Sequence, residues 1–309
     1  MKTALDCLPC YLEQALRVAR ICTLDSGVRL AILQEAAGLI REMDMELTPP
    51  ENSVELYAMI ARLSSNHDPY LELKRQSQEQ ALAMLPLLRQ EVLAADAPLA
   101  LALRLAIGGN IIDYGAMGAF DAEATLATCR EVPLAVDQSQ SLLELVADLP
   151  PGAKILYLAD NCGEIVYDSL VVELLAGYGL EVTVAVKETP IINDALMIDA
   201  LNCGMDQYAR ILSNGTACPG TPLVRCSPEF QECFWAADLV LSKGQGNFET
   251  LSEVGREIFF LLTVKCPVVG NHLAELTGLT PQQLPGLGEL VLYGYPGHFA
   301  RSGHCGAGK

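Results

Sequence analysis

Along the first half of the chain, apolar residues recur at the spacing of a helix face. The segments "VRLAILQEAAGLIREM", "SVELYAMIARLSS", "EQALAMLPLLRQEVLA" and "LALRLAIGGNIIDYG" each fit a helix, and runs of β-branched residues are scarce. Residues 1 to about 150 therefore read as a mostly helical N-terminal domain. The pattern changes at "DLPPG", where Pro150, Pro151 and Gly152 punctuate the chain. Beyond it, short apolar runs, "KILYLAD", "EVTVAVK", "ARILS", "DLVLSK" and "CPVVG", mostly alternate with helical stretches such as "IVYDSLVVELLAGYG" and "NFETLSEVGREIFFLL". This rhythm predicts an α/β domain over residues 151–309, built on a mostly parallel sheet with helices on both faces. No internal repeat or low-complexity segment interrupts it.

In an open parallel sheet, ligands bind in the crevice beyond the carboxyl ends of the strands, so the residues that follow each strand carry the chemistry. After "KILYLA" come Asp160, Asn161 and Glu164; after "EVTVAV" come Lys187, Thr189, Asn193 and Asp194. The "ARIL" run delivers Ser213, Asn214, Gly215 and Thr216, and "DLVLS" delivers Lys243, Gly244, Gln245, Gly246 and Asn247. Helix capping accounts for Asn161, Asn193 or Asn247 taken singly. It does not account for Asp160 and Asp194 together, because two carboxylates on adjacent strand tips repel unless a positive charge lies between them. Oxygen donors of this kind suit Mg²⁺ or Mn²⁺.

Other sites on such a sheet fit less well. The turn "DNCGEI" lacks the spaced glycines of a dinucleotide fold, and in "KGQGN" the lysine precedes the glycines, the reverse of a P-loop. The two glycines still permit close backbone approach at a helix start, and Lys243 adds a full charge for a phosphate. A covalent aspartyl nucleophile of the haloacid dehalogenase type needs an acid two residues after Asp160, where Cys162 stands. Water made acidic by a cation is the better nucleophile.

Composition narrows the partners. With 38 acidic and 20 basic residues the formal charge is -18, which argues against a nucleic-acid surface and requires local positive charge for any anionic substrate. Asp6 and Glu13 break the N-terminal apolar stretch, so no secretory signal is expected, and no segment has the uninterrupted apolar length of a membrane helix. Eleven cysteines in a chain of 309 residues without an export signal read as reduced cytosolic thiols, with Cys22, Cys129, Cys203 and Cys266 as core fillers. A cytoplasmic protein is the expectation; its oligomeric state is not legible.

The stretches "LADNCGEIVYDSL", "KETPIINDALMIDAL", "ADLVLSKGQGNFETL", "GGNIIDYG" and the N-terminal "CLPC" together resemble the DUF89 family of damage-control phosphatases, in particular the prokaryotic branch with an N-terminal Cys-x-x-Cys pair. The resemblance spans nearly the whole chain. It implies a helical N-terminal region on a Rossmann-like α/β domain, and a divalent-metal-dependent phosphatase for small phosphorylated metabolites such as sugar phosphates. Carried over by motif, Asp160, Asn161 and Asp194 would hold one divalent ion (Mn²⁺, Co²⁺, Ni²⁺ or Mg²⁺), with Asp160 and Lys243 as the catalytic pair. Lys243 would contact the phosphate, and Asn110 and Asp113 would face the site from the helical side; the strand-tip reading adds Ser213, Asn214, Gly215, Gly244 and Asn247 as expected substrate-binding residues. S-adenosylmethionine-dependent carboxyl methylation, also proposed within the family, and noncatalytic metabolite binding are the alternatives. Cys7 and Cys10 fit half a zinc site, a redox pair or packing, of which a local structural role is expected. His298, His304 and Cys305 sit in a Gly-rich tail that is expected to fray.

Overall fold

A computed structural model describes residues 1–109 and 132–295. Asn110, Asp113, Cys129, His298, His304 and Cys305 lie outside the described residues. The helical segment comprises α1 (Cys7–Cys22), α2 (Ser26–Arg41), α3 (Pro49–Ser64), α4 (Leu71–Ala94) and α5 (Pro98–Gly109). Their starts are locally encoded. Asp25 caps α2 by accepting from the amides of Gly27 and Val28, and Thr48 and Glu51 form a reciprocal capping box before Pro49 opens α3.

The chain then gives β1 (Val136–Asp137), α6 (Ser139–Asp148), β2 (Lys154–Leu158), α7 (Glu164–Gly177), β3 (Glu181–Val186), α8 (Met197–Asn202) and β4 (Arg210–Ser213). After it come α9 (Pro228–Ala236), β5 (Leu239–Lys243), α10 (Gln245–Leu251), β6 (Ile258–Val264), α11 (Pro267–Thr277) and β7 (Glu289–Tyr295). The strands form one seven-stranded sheet in the order β1-β7-β6-β5-β2-β3-β4, parallel except for the β6–β7 pair. The order reverses between β2, which continues to β3 on one side, and β5 on the other. That reversal opens a crevice at their carboxyl ends.

Three apolar clusters hold these layers. On one sheet face Ile155, Tyr157, Val184 and Leu241 pack against α4, α5, α6 and α7; on the other Leu156, Val240 and Phe260 pack against Phe230, Phe234, Phe248 and Val269. A third core, with Tyr11, Ala15, Ile32, Leu56 and Ile60, belongs to α1, α2 and α3. The helical segment thus divides: three helices form a bundle, and α4 to α6 cover the sheet. Pro150 to Gly152 form a turn from α6 into β2 within that layer, and β1 joins the sheet ahead of it. No described helix is long and apolar enough to cross a membrane.

Two elements differ from the expectation. The stretch "NFETLSEVGREIFFLL" is not one helix, because α10 ends at Leu251, Gly255 takes φ +77°, and Ile258 to Val264 form a wholly buried strand. A strand covered on both faces has no alternation, so its apolar run cannot be told from a buried helix by period. Conversely "CPVVG", expected as a strand, starts α11, where Pro267 occupies the first turn.

Candidate active site

The centre of the crevice is the loop after β2. Gly163, at φ +84°, turns the chain into α7, and it has no room for a side chain, since a Cβ would lie 1.9 Å from Ser77 Oγ. From α4, Ser77 Oγ donates to the carbonyl of Cys162 (3.3 Å) and Gln78 Oε1 accepts from the amide of Gly163 (3.1 Å). On the other side a short antiparallel bridge joins Asn161 to Asp194, where the Cys162 amide meets the Asn193 carbonyl and the Ala195 amide meets the Asp160 carbonyl, both at 2.8 Å. The loops after β2 and β3 are therefore registered backbone to backbone. Asp160, Asn161 and Asp194 become neighbours although they come from different strands.

These three residues and Glu164 line a cavity of about 900 Å³ between the strand tips and helices α1, α3 and α4. All four are buried. The Asn161 side-chain amide donates from Nδ2 to Asp160 Oδ2 (2.8 Å) and to Glu164 Oε2 (2.9 Å). Burial, then the charges of Glu164 and Asp194, hold the Asp160 carboxyl well above the usual carboxylate range, and Lys265 and Lys187 offset this only in part. A crowd of buried carboxylates is destabilising by itself and is relieved by a cation. Among the described residues no three His, Cys, Asp or Glu side chains group as metal ligands. The set here is two carboxylates and an amide, all hard oxygen donors, and it fits an ion that completes its shell with water or substrate oxygen, as Mg²⁺ and Mn²⁺ do.

Lys243 lies elsewhere than expected. It is fully buried, and its Nζ donates to the Ala106 carbonyl (2.9 Å), to Asp168 Oδ1 (2.7 Å) and to Glu164 Oε1, so its three donors are used within the fold. Burial alone would lower this ammonium's pKa, but Asp168 and Glu164 outweigh it and raise the pKa above the ordinary value. Asp168 also accepts from Tyr157 Oη (2.8 Å) and is pushed up to about 6, by burial first. Lys243 is not among the residues that line the cavity; Glu164, which it bonds, is.

Among the described residues, Ser213, Asn214, Gly215, Gly244 and Asn247, also expected to bind substrate, are likewise not in that wall. Gly244, at φ +78°, makes room for the Asp160 carboxylate, since a Cβ there would lie 2.0 Å from Oδ2. Its missing side chain leaves the space that the Asp160 carboxylate fills. Asn247 ties strand ends together, donating to the carbonyls of Lys243 (2.8 Å) and Ala159 (3.2 Å) and accepting from Thr221 Oγ1 (2.7 Å). Ser213, Asn214 and Gly215 form a turn: Ser213 bonds Glu188, Asn214 Oδ1 accepts from the Thr216 amide, and Gly215 at φ +77° packs against Ser227.

The cations that do line the cavity are Arg17 and Arg20 on α1, Lys74 on α4 and Lys265 after β6. Lys74 is paired with Asp68 at 2.7 Å. Tyr57 of α3 donates from its hydroxyl to Gln14 Oε1 (2.6 Å), and burial raises its pKa, with Arg17 acting against the shift and Asp194 with it. Arg17 and Asp194 thus act on the same phenol with opposite sign. Lys265 was legible in principle, as the residue that follows an apolar strand, had "IFFLLTV" been read as one. Nothing local marks Arg17 or Tyr57. Cys7 and Cys10 also line the cavity with Cys266 and Glu249, and the described cysteines are all free thiols. Glu249, buried and bonded by Gln245 Nε2 (2.9 Å), is pushed up to about 7 by burial.

The chain matches the profile of the damage-control phosphatase ARMT1-like domain over residues 3–279. It is 34% identical over 277 residues to damage-control phosphatase PH1575 of Pyrococcus horikoshii, a match that covers 88% of this chain and 94% of that one. It is 29% identical over 283 residues to a damage-control phosphatase of Archaeoglobus fulgidus, covering 90% and 97%. The crystal structure of the Pyrococcus protein, a DUF89 family protein, matches with a TM-score of 0.84 at 32% identity over 96% of this chain and 100% of that one.

Proposed function

This chain belongs to the damage-control phosphatase ARMT1-like family, and on that premise we propose that it hydrolyses small phosphorylated metabolites, with one divalent cation held by Asp160, Asn161 and Asp194. The observation that carries this reading is the backbone bridge between Asn161 and Asp194, which brings three oxygen donors from two loops to the floor of one cavity at the strand reversal. The cation, when bound, supplies Lewis acidity toward phosphoryl oxygens and makes water more acidic.

The protein's own residues do the rest. Asp160 and Asp194 bring the negative charge that holds the cation, and Gly244 lets the Asp160 carboxylate lie against the backbone. Arg17 and Lys265 take the phosphate-binding role first expected of Lys243, because both line the cavity. Charge gathers on the phosphoryl oxygens during transfer, so cations that line the same cavity as the carboxylates favour the transition state. Helices α1, α3 and α4 roof the strand tips and limit bulk water, and about 900 Å³ leaves space for a leaving group larger than a phosphate alone.

The test is a panel of phosphorylated metabolites, sugar phosphates among them, assayed with chelator-stripped protein and with Mn²⁺, Co²⁺, Ni²⁺ or Mg²⁺ added back. Turnover is expected only with a cation. Full turnover by stripped protein would remove the metal from the scheme. Saturable binding without turnover would make this a binding protein, and methyl transfer from S-adenosylmethionine would make it a methyltransferase.

A further inference from the structure

Resting on that cation site, we infer that Lys243 is a positioning residue that sets the orientation of the Asn161 side chain through Glu164. Asn161 Nδ2 carries two hydrogens, and two carboxylates take them: Asp160 Oδ2 at 2.8 Å and Glu164 Oε2 at 2.9 Å. The carbonyl oxygen Oδ1 is thereby the end left for a cation. A reversed amide would set Oδ1 against two carboxylate oxygens and turn an N–H pair toward the cation. The orientation therefore depends on Glu164 remaining a carboxylate in its present place, in a position almost without solvent.

Lys243 keeps it there. Glu164 and Asp168 stand one helical turn apart on α7, so both carboxylates face the same way, and the ammonium at the end of β5 lies between them. The Ala106 carbonyl from α5 takes its third proton, and Tyr157 of β2 holds Asp168 from the other side. The motif lysine, which local sequence offers to a phosphate, thus acts on the cation site from behind. Its line of action runs from Lys243 to Glu164 to Asn161, with no contact to substrate.

The sign of one measurement separates positioning from simple charge. Deleting a lysine beside a cation site should tighten cation binding if only Coulomb repulsion matters. Positioning demands the opposite. Calorimetric titration of the metal-free full-length protein with Mn²⁺ alone is expected to show affinity falling roughly 10- to 100-fold in Lys243→Met, the loss typical when a ligand's outer partner is removed. If that variant does not fold, Lys243→Met with Asp168→Asn removes one charge of each sign, keeps a carbonyl for Tyr157, and is expected to show the same fall. Adding Glu164→Gln to Lys243→Met should lower affinity little further, because both act on one contact. Unchanged or tighter Mn²⁺ binding in a folded lysine variant overturns the inference, as does a Glu164 effect that multiplies with it. Wild-type protein that binds no Mn²⁺ overturns the cation site itself, and this inference falls with it; wild-type binding undiminished in the variants sinks this inference alone.

Discussion

Two buried lysines flank the Asp160 strand, and they are wired differently. Lys187 follows β3 and Lys243 ends β5, the two neighbours of β2 in the sheet. Lys243 sits within hydrogen-bond reach of two carboxylates, whereas Lys187 donates to the Gly220 carbonyl at 2.6 Å and stands 3.6 Å from Asp194 Oδ2, an ion pair beyond hydrogen-bond range. Depth of burial is nearly the same. What differs is the number of carboxylates that the surrounding helices aim at the ammonium: α7 presents two, and the loop carrying Asp194 presents one at a distance. A strand-tip lysine is therefore a structural clamp or an electrostatic neighbour according to its partners. A buried ion cluster is weak support for stability in itself, yet costly to break on one side.

The comparison can be strained at several points, the largest first. Asp160, between the two lysines, is crowded by Glu164 and Asp194. Replacing it with Asn is expected to lower phosphatase turnover by about 10² to 10³ or more, the scale of losing one electrostatic stabiliser, while the metal-free protein melts at a higher temperature. Turnover within a few-fold of wild type in steady-state assays would remove Asp160 from the site.

Next is Lys243→Met, which strands Glu164 and Asp168 without their shared cation. Unfolding of the metal-free protein in guanidinium should show a loss of about 3–5 kcal/mol, the range for breaking a buried pair. A loss under 1 kcal/mol would mean that the three bonds contribute no clamp.

Glu249 serves as a control, a buried cavity carboxyl with no lysine within its bonds. Its folded pKa of about 7 lies above the unfolded value of 4.5, so the folded chain holds the proton longer. Its contribution is then fully favourable below about pH 4.5, is lost as pH rises toward 7, and stays lost above. At about 1.4 kcal/mol per pH unit this amounts to roughly 3 kcal/mol. Glu249→Gln should accordingly stabilise the protein at pH 8 and flatten the decline between pH 5 and 7 in denaturant titrations. An unchanged slope would show that the carboxyl is solvated.

The smallest effect is expected for Lys187→Met, about 2 kcal/mol, since one charged hydrogen bond and a long ion pair are lost. Its Mn²⁺ affinity should hold or tighten, opposite to the Lys243 variant. Equal losses of affinity in both would erase the distinction between the two lysines.

Where the candidate ligands lie was legible because of where parallel strands end. Once "KILYLA" and "EVTVAV" read as strands, Asp160, Asn161 and Asp194 had to emerge at one edge, and five ordered motifs marked the family. The roles within "KGQGN" were not legible. Gly244 looks like a phosphate-approach glycine, but its space is taken by the Asp160 carboxylate, a residue distant in sequence. Lys243 looks like a phosphate ligand, but its carboxylates arrive from 79 and 75 residues earlier in the chain. Lys265 was hidden by β6, whose double burial removes the alternation that identifies strands.

The sequence by itself determined the alternation that makes a parallel sheet, the caps that start α2 and α3, and the polar residues waiting at each strand tip. These depend on periodicity and on neighbours within a few positions, where the backbone leaves few choices. Tertiary structure decided which tip residues meet in the cavity, which helices roof it, and which lysine is consumed by carboxylates. A charged side chain takes its function from the partners that folding brings within about 3 Å of it, and that distance is set by how α5 and α7 pack against the ends of β2 and β5.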